Sequence, residues 1–578
     1  MAVDRKWILQ EVGDPYKVAK LTQQLSIDPT LSNLLVQRGV YTFEDARRFF
    51  RPQLENLYDP FLMKDMDKAV DRITQAIGDN EKILIYGDYD VDGTTAVALM
   101  YSFLSKLTNN IDYYIPDRYS EGYGISYQGI EFAKNSNVSL VIALDCGIKA
   151  TEKIAHAKSL GIDFIICDHH LPGDTIPNAV AVLDPMRPDC DYPFSDLSGA
   201  GVGFKLIQAY SKVHNLPFEN LETYLDLVAV SIAADIVPVI DENRILAFYG
   251  LKRLNQRPRV GLKHIIKLSG LEHHPIAIDD IVFRIGPRIN AAGRMESGKT
   301  AVDLLTAETD EVAMEIAELI NAVNNDRKSV DRVITQEAIA MVTEDKDMER
   351  KKATVLYNPG WHKGVVGIVA SRLVESFYRP TIVLTQSNGF VTGSARSIPG
   401  FDLYQGVEAC SDLLETFGGH MYAAGLTMKE ENYPIFKQRF EEYVAKNIDE
   451  SLMTPQVDID AKLNFKQITP KFFRILKQFQ PFGPGNMSPV FLTENVYDNG
   501  NSRAVGSDRE HVRLELIQED EPYRPIPGIA FHQSEHFDFI QGGNPFDICY
   551  SIAENYYRGV ANIQLRVKDI KEREIDFL

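Results

Sequence analysis

Cysteine is scarce in this sequence, which has five cysteines among 578 residues and no Cys-x-x-Cys pair. Their number and spacing argue against a structural zinc site or a disulfide framework and favour free thiols in a reducing compartment. No apolar run approaches the ~20 residues of a membrane-spanning helix, and the first residues, MAVDRKWILQEVGDP, contain no signal-peptide apolar core. We therefore expect a soluble, cytoplasmic protein that does not contact membranes.

Positive charge is also in deficit, with 61 Lys and Arg against 81 Asp and Glu and a formal net charge of −20. This total argues mildly against nonspecific coating of DNA. It does not exclude a nucleic-acid partner, because metal-binding carboxylates and acidic helices can outweigh one basic groove. The apolar fraction of 44% and the charged fraction of 25% are typical of globular proteins, and the length predicts several domains.

Short apolar runs alternate with helical stretches between about residues 82 and 185. The runs are KILIYGD (82–88), NIDYYIPD (110–117), SLVIALDCG (139–147), DFIICDHH (163–170) and AVAVLDP (179–185). This spacing predicts βαβ units, and hence a parallel sheet with helices on both faces.

The pattern changes twice downstream. Residues 310–342 contain no Pro or Gly and repeat apolar residues at helical spacing, which predicts a long helix between two domains. Two packed helices with a break near Asn324 are the alternative. A second, smaller α/β unit is expected at about 352–447, and short alternating strands from residue 456 predict a small barrel or sandwich.

Three carboxylates follow the first strand directly, at Asp88, Asp90 and Asp92. Because they repel one another, such a cluster is costly unless a cation neutralises it. A calcium-binding EF-hand loop begins in the same way, but its twelfth position requires Glu where this chain has Leu99, and a helix precedes it instead of a strand. The sequence therefore indicates a cation site of another kind.

Acidic and imidazole side chains also end later apolar runs. Asp145 ends one strand, Asp168, His169 and His170 end the next, and Asp235 closes the run LVAVSIAAD (227–235). Because ligands of doubly wound sheets bind outside the carboxyl ends of the strands, these residues are expected in one crevice. Oxygen and imidazole ligands without thiolates favour Mn²⁺ or Mg²⁺. The number of carboxylates suggests two ions ~3.5–4 Å apart, as used for in-line phosphoryl displacement.

Plainer interpretations exist for each residue alone. A single Asp at a strand end most often caps a helix or forms a turn, but three such ends and a His pair make coincidence a poor explanation. The pair His273-His274 ends no strand and is expected to be solvated, and Cys146 and Cys167 are expected to be small core residues.

These segments resemble the DHH phosphoesterase superfamily, named after the triplet Asp168-His169-His170, and most closely its RecJ family of single-strand-specific 5′→3′ exonucleases. The resemblance runs from about residue 35 to 575. The ordered segments that carry it are GDYDVDG (87–93), LDCG (144–147), CDHH (167–170), AADIVP (233–238), RIGPRINAAGRM (284–295), GWHKGVVGIVASRL (360–373), TGSARSIPGFDL (392–403), FGGHMYAAG (417–425) and FQPFGPGN (479–486).

The resemblance implies an α/β fold in which a parallel-sheet DHH domain and a smaller α/β DHHA1 domain are joined by a long helix, with a C-terminal OB-like β-barrel. The implied segments are an N-terminal helical segment (1–50), the DHH catalytic domain (51–260), a helical connector with the long strut helix (261–345), the DHHA1 domain that binds the 5′ end or nucleotide (346–450) and the OB-like single-strand-binding domain (451–578).

The resemblance also implies roles for individual residues. The implied metal ligands are Asp88, Asp90, Asp92, Asp145, His169 and Asp235, and the implied catalytic residues are His170 and Asp168. The implied contacts to DNA and its 5′-phosphate are Arg118, Arg288, Asn290, Arg294, Ser394, Arg396, Gly418, Gly419 and His420. Candidate base-stacking residues in the barrel are Phe479, Phe482, Tyr556 and Tyr557, with Arg558 beside them.

One position departs from the family pattern, because many relatives carry a metal-binding His where this chain has Tyr86. Either Asp88 compensates or one ion is held more loosely. The expected activity is removal of mononucleotides from the 5′ end of single-stranded DNA, with two Mn²⁺ or Mg²⁺ ions per site and Mn²⁺ as the expected metal. The implied setting is DNA repair and recombination, by a monomer that works with a single-strand-binding protein and a RecQ-type helicase.

Three other functions are compatible with the superfamily. A DHH enzyme acting on very short RNAs or cyclic dinucleotides needs neither a long strut nor a barrel. A non-catalytic scaffold at a replication fork is expected to have lost ligand carboxylates, which this chain retains. A pyrophosphatase of the same superfamily is disfavoured by the length of the chain.

Overall fold

The computed structural model describes residues 5–295, 297–347, 350–519, 523–557 and 560–573. Within these ranges four β-sheets organise the chain: a parallel sheet, a mixed sheet, a seven-stranded closed sheet and a two-stranded pair. This order confirms the predicted combination of two α/β units and a C-terminal barrel. None of the described helices is long and apolar enough to cross a membrane.

The N-terminal segment packs against the C-terminal barrel. Its elements are β1 (Lys6–Leu9), α1 (Pro15–Leu25), α2 (Pro29–Gln37) and α3 (Phe43–Phe50). Strand β1 pairs in parallel with residues 456–459, and Leu21 and Leu31 share a hydrophobic cluster with Phe465 of the barrel. The segment 1–50 is thus not helical throughout, because β1 forms through a partner some 450 residues away in the chain.

The first α/β unit contains a five-stranded, fully parallel sheet. Its elements are α4 (Met66–Gly78), β2 (Ile83–Gly87), α5 (Val91–Leu104), β3 (Ile111–Tyr114), α6 (Tyr127–Asn135), β4 (Leu140–Leu144), α7 (Thr151–Ser159), β5 (Asp163–Cys167), β6 (Ala181–Leu183), α8 (Gly199–Val213), α9 (Leu225–Ala234) and α10 (Asp241–Gln256). The strand order is β3-β2-β4-β5-β6. Strands β2 and β4 are buried along their whole length, which is why their sequences are unbroken apolar runs.

A helical connector follows and ends in one 35-residue helix. Its elements are α11 (Val260–Leu268), α12 (Ile278–Asp280), a π-helical turn (Ile281–Ile285), α13 (Gly286–Met295), α14 (Gly298–Thr306) and α15 (Asp310–Glu344). The hydroxyl of Thr309 accepts a hydrogen bond from the Val312 N–H at the start of α15. Helix α15 continues through Asn324 without a break, so the long strut is confirmed and the two-helix alternative is wrong.

The second α/β unit contains a five-stranded sheet in the order β10-β11-β9-β8-β7, in which only β7 and β8 are parallel. Its elements are β7 (Thr354–Tyr357), α16 (Val366–Phe377), β8 (Thr381–Ser387), β9 (Phe390–Arg396), α17 (Leu403–Glu408), β10 (Leu414–His420), β11 (Ala423–Met428) and α18 (Tyr433–Asn447). Arg372 of α16 donates to Asp331 of α15 at 2.7 Å, which ties this unit to the long helix.

The C-terminal unit is a closed barrel. Its elements are β12 (Gln456–Ile459), β13 (Ala461–Lys462), α19 (Pro470–Leu476), β14 (Phe491–Asp498), β15 (Arg503–Val505), β16 (His511–Gln518), β17 (Ile526–Ala530), α20 (Phe537–Gln541), β18 (Phe546–Tyr557) and β19 (Val560–Glu572). The order is β13-β14-β18-β19-β17-β16-β15, and a β14–β16 pairing closes the sheet. Five main strands, with a helix between the third and fourth, form the predicted OB-like barrel.

Candidate active site

The loop after β2 places Asp88 and Asp90 at the carboxyl edge of the parallel sheet. Asp90 is the N-cap of α5, and its Oδ1 accepts a hydrogen bond from the Gly93 N–H at 2.9 Å. Asp88 is fully buried, and its Oδ1 accepts from the Gly124 N–H at 3.3 Å. The other oxygen of Asp88, Oδ2, is buried and has no hydrogen-bond partner among the described residues.

Asp92 is held by the first turn of α8. Its two carboxylate oxygens accept from the backbone N–H groups of Gly199 at 2.7 Å and Ala200 at 2.8 Å, and Oδ1 also accepts from the Ser231 hydroxyl at 2.7 Å. A carboxylate is stabilised at a helix N-terminus by the helix dipole. Asp92 Oδ2 also lies 3.7 Å from His169 Nε2, so Asp92 lines the site while anchoring α8 below it.

His169 lies at the centre of the cluster. Its Nε2 is 3.1 Å from Asp145 Oδ1 and 3.6 Å from Asp235 Oδ2. Asp145 has a positive φ of 59°, and its Oδ2 is buried with no hydrogen-bond partner among the described residues. A Cβ atom at Gly199 would lie 2.7 Å from the Asp145 Cβ, so this position of α8 requires glycine.

Asp235 reaches the cluster from a helix. The apolar run before it forms α9, and Asp235 is the C-cap residue of that helix. Its side chain is 30% exposed, unlike the buried Asp145. The sequence predicted this residue as a site residue. It ends a helix, whereas Asp88 and Asp145 directly follow strands β2 and β4.

Two groups of three side chains are each compact enough to surround one ion. They are Asp145, His169 and His170, and Asp92, His169 and Asp235, with potential ligand atoms within 4.8 Å of one another in each group. Both groups share His169. Asp88 and Asp90 lie outside these two groups, although they belong to the loop that leads into α5, the helix that carries Asp92.

Burial and mutual repulsion raise the pKa values of these carboxyls. Burial, followed by the charge of a neighbouring aspartate, raises the pKa of Asp88 and Asp145 well above the ordinary value. The same causes raise the pKa of Asp90, and they raise the pKa of Asp235 to about 8. Buried carboxylates with unpartnered oxygens fit a divalent cation, which would satisfy those oxygens and remove the repulsion.

His170 is held by Asp168 beside the cluster. The Nδ1 of His170 lies 2.7 Å from Asp168 Oδ1, and its Nε2 lies 3.2 Å from the Tyr123 hydroxyl. Burial alone lowers the pKa of His170, but the hydrogen bond and charge of Asp168 outweigh it and raise that pKa to about 9. Asp168 also accepts from the Ile148 N–H at 2.9 Å, so it orients His170 from a buried position.

Tyr86 lies in the hydrophobic core below the site. Its hydroxyl donates to the Gly124 carbonyl at 3.0 Å, and its ring stacks on Tyr114 with centroids 5.4 Å apart. Tyr86 thus has a structural position, and Asp88 keeps one buried carboxylate oxygen, Oδ2, without a partner among the described residues.

Sequence reasoning did not single out Asp184, which follows β6 at the same edge of the sheet. Asp184 is fully buried, its Oδ1 accepts from the Met186 N–H at 2.7 Å, and its Oδ2 has no partner among the described residues. Burial and the charge of Asp168 raise the pKa of Asp184 to about 7. The signal was present, because Asp184 follows the apolar residues 179–183 directly, as Asp145 follows residues 140–144.

Apart from the carboxylate–histidine cluster, a pocket lies between α13, the sheet of the second α/β unit and the loop that carries Arg118. Its volume is about 320 Å³, and it is lined by four cations and no carboxylate. These cations are Arg118, Arg294, Lys363 and Arg396. Burial and the charge of Arg118 lower the pKa values of Lys363 and Arg396, and burial, Arg118 and other arginines lower that of Arg294 to about 10. Such a pocket fits an anion of high charge.

Small residues of the second sheet form the opposite wall of this pocket. Ser394, Gly418 and Gly419 are lining residues, and Arg396 donates to the Ser394 hydroxyl at 2.7 Å. Gly419 has a φ of +152°, and a Cβ there would lie 2.3 Å from the Ala423 carbonyl oxygen. The wall therefore lets an anion approach the backbone closely.

Three of the predicted contact residues do not line this pocket. Arg288 donates to Asn321 Oδ1 at 3.0 Å, the Arg284 carbonyl at 2.6 Å and the Leu268 carbonyl at 3.1 Å, so its guanidinium is engaged within the protein. His420 is exposed, and burial and the charge of Arg396 lower its pKa. Asn290 lies on α13, and its buried Oδ1 has no partner among the described residues.

The candidate stacking residues of the barrel have mixed positions. Phe479 is fully buried against Phe49 and Phe50, so it is a core residue and offers no free ring face. Phe482 is half-buried at the edge of the same cluster. The side chains of Tyr556 and Tyr557, and the whole of Arg558, lie outside the described residues.

Comparison with known proteins identifies the family. Residues 82–232 match the DHH family N-terminal domain, residues 350–446 match the DHHA1 domain, and residues 459–569 match the RecJ OB domain. The chain is 40% identical over 571 residues to the single-stranded-DNA-specific exonuclease RecJ of Bacillus subtilis, covering 98% of this chain and 71% of that protein. It belongs to the RecJ family.

Other RecJ proteins show the same likeness. RecJ of Escherichia coli is 32% identical, with 94% of this chain and 96% of that protein covered. A crystal structure of Thermus thermophilus RecJ in complex with Mn²⁺ has a TM-score of 0.83 and 26% identity, covering 99% of this chain and 80% of that one. A Mg²⁺ complex of the same protein has a TM-score of 0.78 and 25% identity, covering 99% and 79%. Membership in the RecJ family confirms the resemblance that the sequence motifs indicated.

Proposed function

We propose that this protein is an exonuclease that degrades single-stranded DNA from its 5′ end, in the 5′→3′ direction, releasing mononucleotides. One observation carries the proposal: a carboxylate–histidine cluster and a basic anion pocket meet at Arg118, which lines the pocket and whose guanidinium lies 4.9 Å from the ring centroid of Tyr89, between Asp88 and Asp90. The names of the curated RecJ relatives support single-stranded DNA as the substrate.

We assign the cluster to two divalent ions, with Mn²⁺ as the preferred metal and Mg²⁺ as the alternative. The residues that would hold them are Asp88, Asp90, Asp92, Asp145, His169 and Asp235. The RecJ structures with Mn²⁺ and with Mg²⁺ support the use of a divalent metal. Bound there, the ions would supply an activated water and stabilise charge on the leaving oxygen.

We assign His170 to a direct contact with the scissile phosphate. Its Nδ1 lies 2.7 Å from Asp168 Oδ1, and this hydrogen bond and charge favour the protonated imidazole, which can hydrogen-bond a phosphate oxygen or deliver a proton to the leaving oxygen. Asp168 is a positioning residue in this scheme, because it contacts His170 and backbone N–H groups.

The basic pocket is assigned to the 5′-terminal phosphate. Arg118, Arg294 and Arg396 would clamp it, and Ser394, Gly418 and Gly419 would let it approach the backbone. Anchoring the terminal phosphate there sets how far the first phosphodiester lies from the carboxylates. This accounts for removal of single nucleotides and for the 5′→3′ direction.

We place this activity in DNA repair and recombination. A RecQ-type helicase would supply single strands, a single-strand-binding protein would hold them extended, and the enzyme would act as a monomer. The free state of all five cysteines supports a reducing compartment, the cytoplasm.

The test uses one long single strand with a 5′-phosphate, labelled at the 5′ phosphate in one sample and at the 3′ end in another, with manganese present. We expect the 5′ label to appear as a mononucleotide from the first turnover, while the 3′ label passes through a series of shortening strands. Chelator should abolish both, and a blunt duplex should resist. Release of the 3′ label first would contradict the proposal.

A further inference from the structure

The segment FQPFGPGN (479–486) of the C-terminal unit packs against the parallel-sheet unit beside the carboxylate cluster. It lies between α19 and β14, and it contacts residues 236–240, which follow Asp235 directly. The Val239 N–H donates to the Pro484 carbonyl at 2.7 Å. The C-terminal unit therefore touches the backbone four residues away from a carboxylate of the cluster.

A glycine allows this contact to be close. A Cβ at Gly483 would lie 2.4 Å from Val239 Cγ2 and 3.2 Å from Val239 Cβ. Val239 is fully buried, and a buried side chain in a close-packed interior cannot move aside without cost. The contact therefore requires glycine at position 483, and a methyl group there would push residues 236–240 away from the segment.

Buried polar side chains hold the segment against the parallel-sheet unit. Asn486 is 2% exposed, and its Nδ2 donates to the carbonyls of Phe479 and Pro481, each at 2.8 Å. Arg244, on α10, donates to the same two carbonyls at 2.9 and 3.3 Å and to the Gln480 carbonyl at 3.0 Å. Because α10 begins directly after the contacted residues, Arg244 holds both sides of the contact together.

The backbone of Ile236, the residue after Asp235, is strained. Its φ of +59° lies in the left-handed region, which a β-branched residue rarely adopts at a cost of about 1–3 kcal/mol. Its side chain is 61% exposed, so packing of that side chain offsets little of this cost. Contacts further along the chain hold the conformation, namely the hydrogen bond of the Val239 N–H and that from Asn243 Nδ2 to the Pro238 carbonyl at 3.0 Å.

We propose that Gly483 is a positioning residue, which holds Asp235 in place for metal binding through residues 236–240. The inference rests on the metal role of Asp235 in the proposed function, and it adds a residue of the C-terminal unit to the support of that site. Asp235 Oδ2 lies 3.6 Å from His169 Nε2. Because a metal site tolerates displacements of only about 0.5 Å, a shift of the chain after Asp235 should weaken the ion that this carboxylate holds.

Equilibrium binding of Mn²⁺ in the absence of DNA, measured by electron paramagnetic resonance of the free ion, tests this role. Gly483→Ala adds one methyl group at the contact and should weaken the binding of one Mn²⁺ ion by about 10-fold, as loss of a residue that orients a metal ligand does. Gly78→Ala is the matched control, because Gly78 ends α4, is exposed, and a Cβ there would meet open space. Equal Mn²⁺ affinity in these two variants would overturn the proposal.

A compensating substitution tests whether the effect passes through the contact. Val239→Ala removes the Cγ2 atom that an added methyl group would strike. Gly483→Ala/Val239→Ala should therefore bind Mn²⁺ more tightly than Gly483→Ala, although each substitution alone weakens binding. A double variant that binds Mn²⁺ as weakly as Gly483→Ala, or more weakly, would overturn the proposal.

A second comparison decides the question even where Gly483→Ala does not fold. Val239→Ala is compared with Val444→Ala, which removes the same atoms at a fully buried site on α18 of the second α/β unit. Both variants should lower the melting temperature of the chelated protein, and only Val239→Ala should weaken Mn²⁺ binding. Equal Mn²⁺ affinity in the two variants would show that the contact only stabilises the fold, and would overturn the proposal.

Cleavage separates the fate of this inference from that of the proposed function. In Gly483→Ala, raised manganese should restore kcat on a long single strand, while the KM for the strand stays at the wild-type value. A wild-type protein that cleaves no strand, together with the predicted loss of Mn²⁺ affinity in Gly483→Ala, would contradict the proposed function and leave the positioning role standing. Normal cleavage by the wild type, with equal Mn²⁺ affinity in Gly483→Ala and Gly78→Ala, would do the reverse.

Discussion

The guanidinium of Arg118 lies over the ring of Tyr89, 4.9 Å from its centroid. Tyr89 is in the loop between Asp88 and Asp90, whereas Arg118 lines the basic pocket with Arg396. This pair of side chains therefore connects the carboxylate cluster to the anion pocket. A strand with its terminal phosphate in the pocket would present its first phosphodiester beside the carboxylates.

Asp145→Asn should abolish cleavage without abolishing DNA binding. The substitution keeps the size of the side chain but removes the charge that faces His169 Nε2 at 3.1 Å. Because loss of a residue that only supports a metal ligand costs 10–100-fold, loss of a ligand should lower kcat with manganese by more than ~100-fold. Exposed Asp71→Asn on α4 is the matched control. Wild-type turnover in the Asp145 variant would contradict the assignment.

Arg396→Gln should remove the preference for a 5′-phosphate. A hydrogen bond to a charged group contributes about 1.5–3 kcal/mol, so kcat/KM on a 5′-phosphorylated strand should fall ~10- to 150-fold. The kcat/KM on the same strand with a 5′-hydroxyl should change little. The control variant Arg257→Gln, at an exposed site, should leave kcat/KM on both strands unchanged. Equal losses on both strands would show that Arg396 contacts another part of the substrate.

Arg288→Gln should reduce stability more than DNA binding. Its guanidinium donates to the carbonyls of Leu268, the last residue of α11, and of Arg284. Leaving these acceptors without a donor should cost about 1–3 kcal/mol in the free energy of unfolding, measured by urea denaturation. A tenfold loss of DNA binding with unchanged stability would instead support the contact role that the sequence motif implied.

In the metal-free protein, the free energy of unfolding should fall as the pH rises. Burial and Asp92 raise the pKa of Asp235 from its ordinary 3.8 to about 8, so the folded chelated protein retains a proton that the unfolded chain releases. The contribution of this proton to the free energy of unfolding is complete below pH 4 and is lost as the pH rises through about 8. The raised pKa values of Asp145 and His170 act in the same direction.

Melting temperatures of the chelated protein and of the manganese-loaded protein, at pH 5 and at pH 8, measure this effect. Manganese should raise the melting temperature more at the higher pH, because the cation replaces the protons that the cluster would otherwise need. An Asp71→Asn protein should behave as the wild type does. The same gain from manganese at both pH values would contradict the raised carboxyl pKa values.

Much of the site could be predicted from the sequence, because a parallel sheet brings the carboxyl ends of its strands to one edge. Asp90, Asp145 and His169 follow three of the predicted strands, those that became β2, β4 and β5, and their places at the carboxyl ends of these strands implied that they meet. Asp235 was predicted by the same argument, because it closes an apolar run, although the element that carries it is the helix α9. The direction in which a long side chain points could not be predicted in this way. Arg288 donates to a backbone carbonyl of Leu268, which only the tertiary fold brings close to it.

The pairing of strands that are distant in the sequence could not be predicted for a similar reason. Strand β1 has four residues, and its partner β12 lies at the other end of the chain, so no local pattern marks it. Phe479 was a reasonable stacking candidate by residue type, but packing against Phe49 buries it.

The most direct test of the two-ion assignment is an anomalous-scattering map from crystals of this protein grown with manganese. We expect two manganese peaks at the carboxyl edge of the parallel sheet, bounded by Asp90, Asp145, His169 and Asp235, and one or both should vanish in Asp145→Asn. Absence of manganese from this edge, or manganese bound only elsewhere, would contradict it.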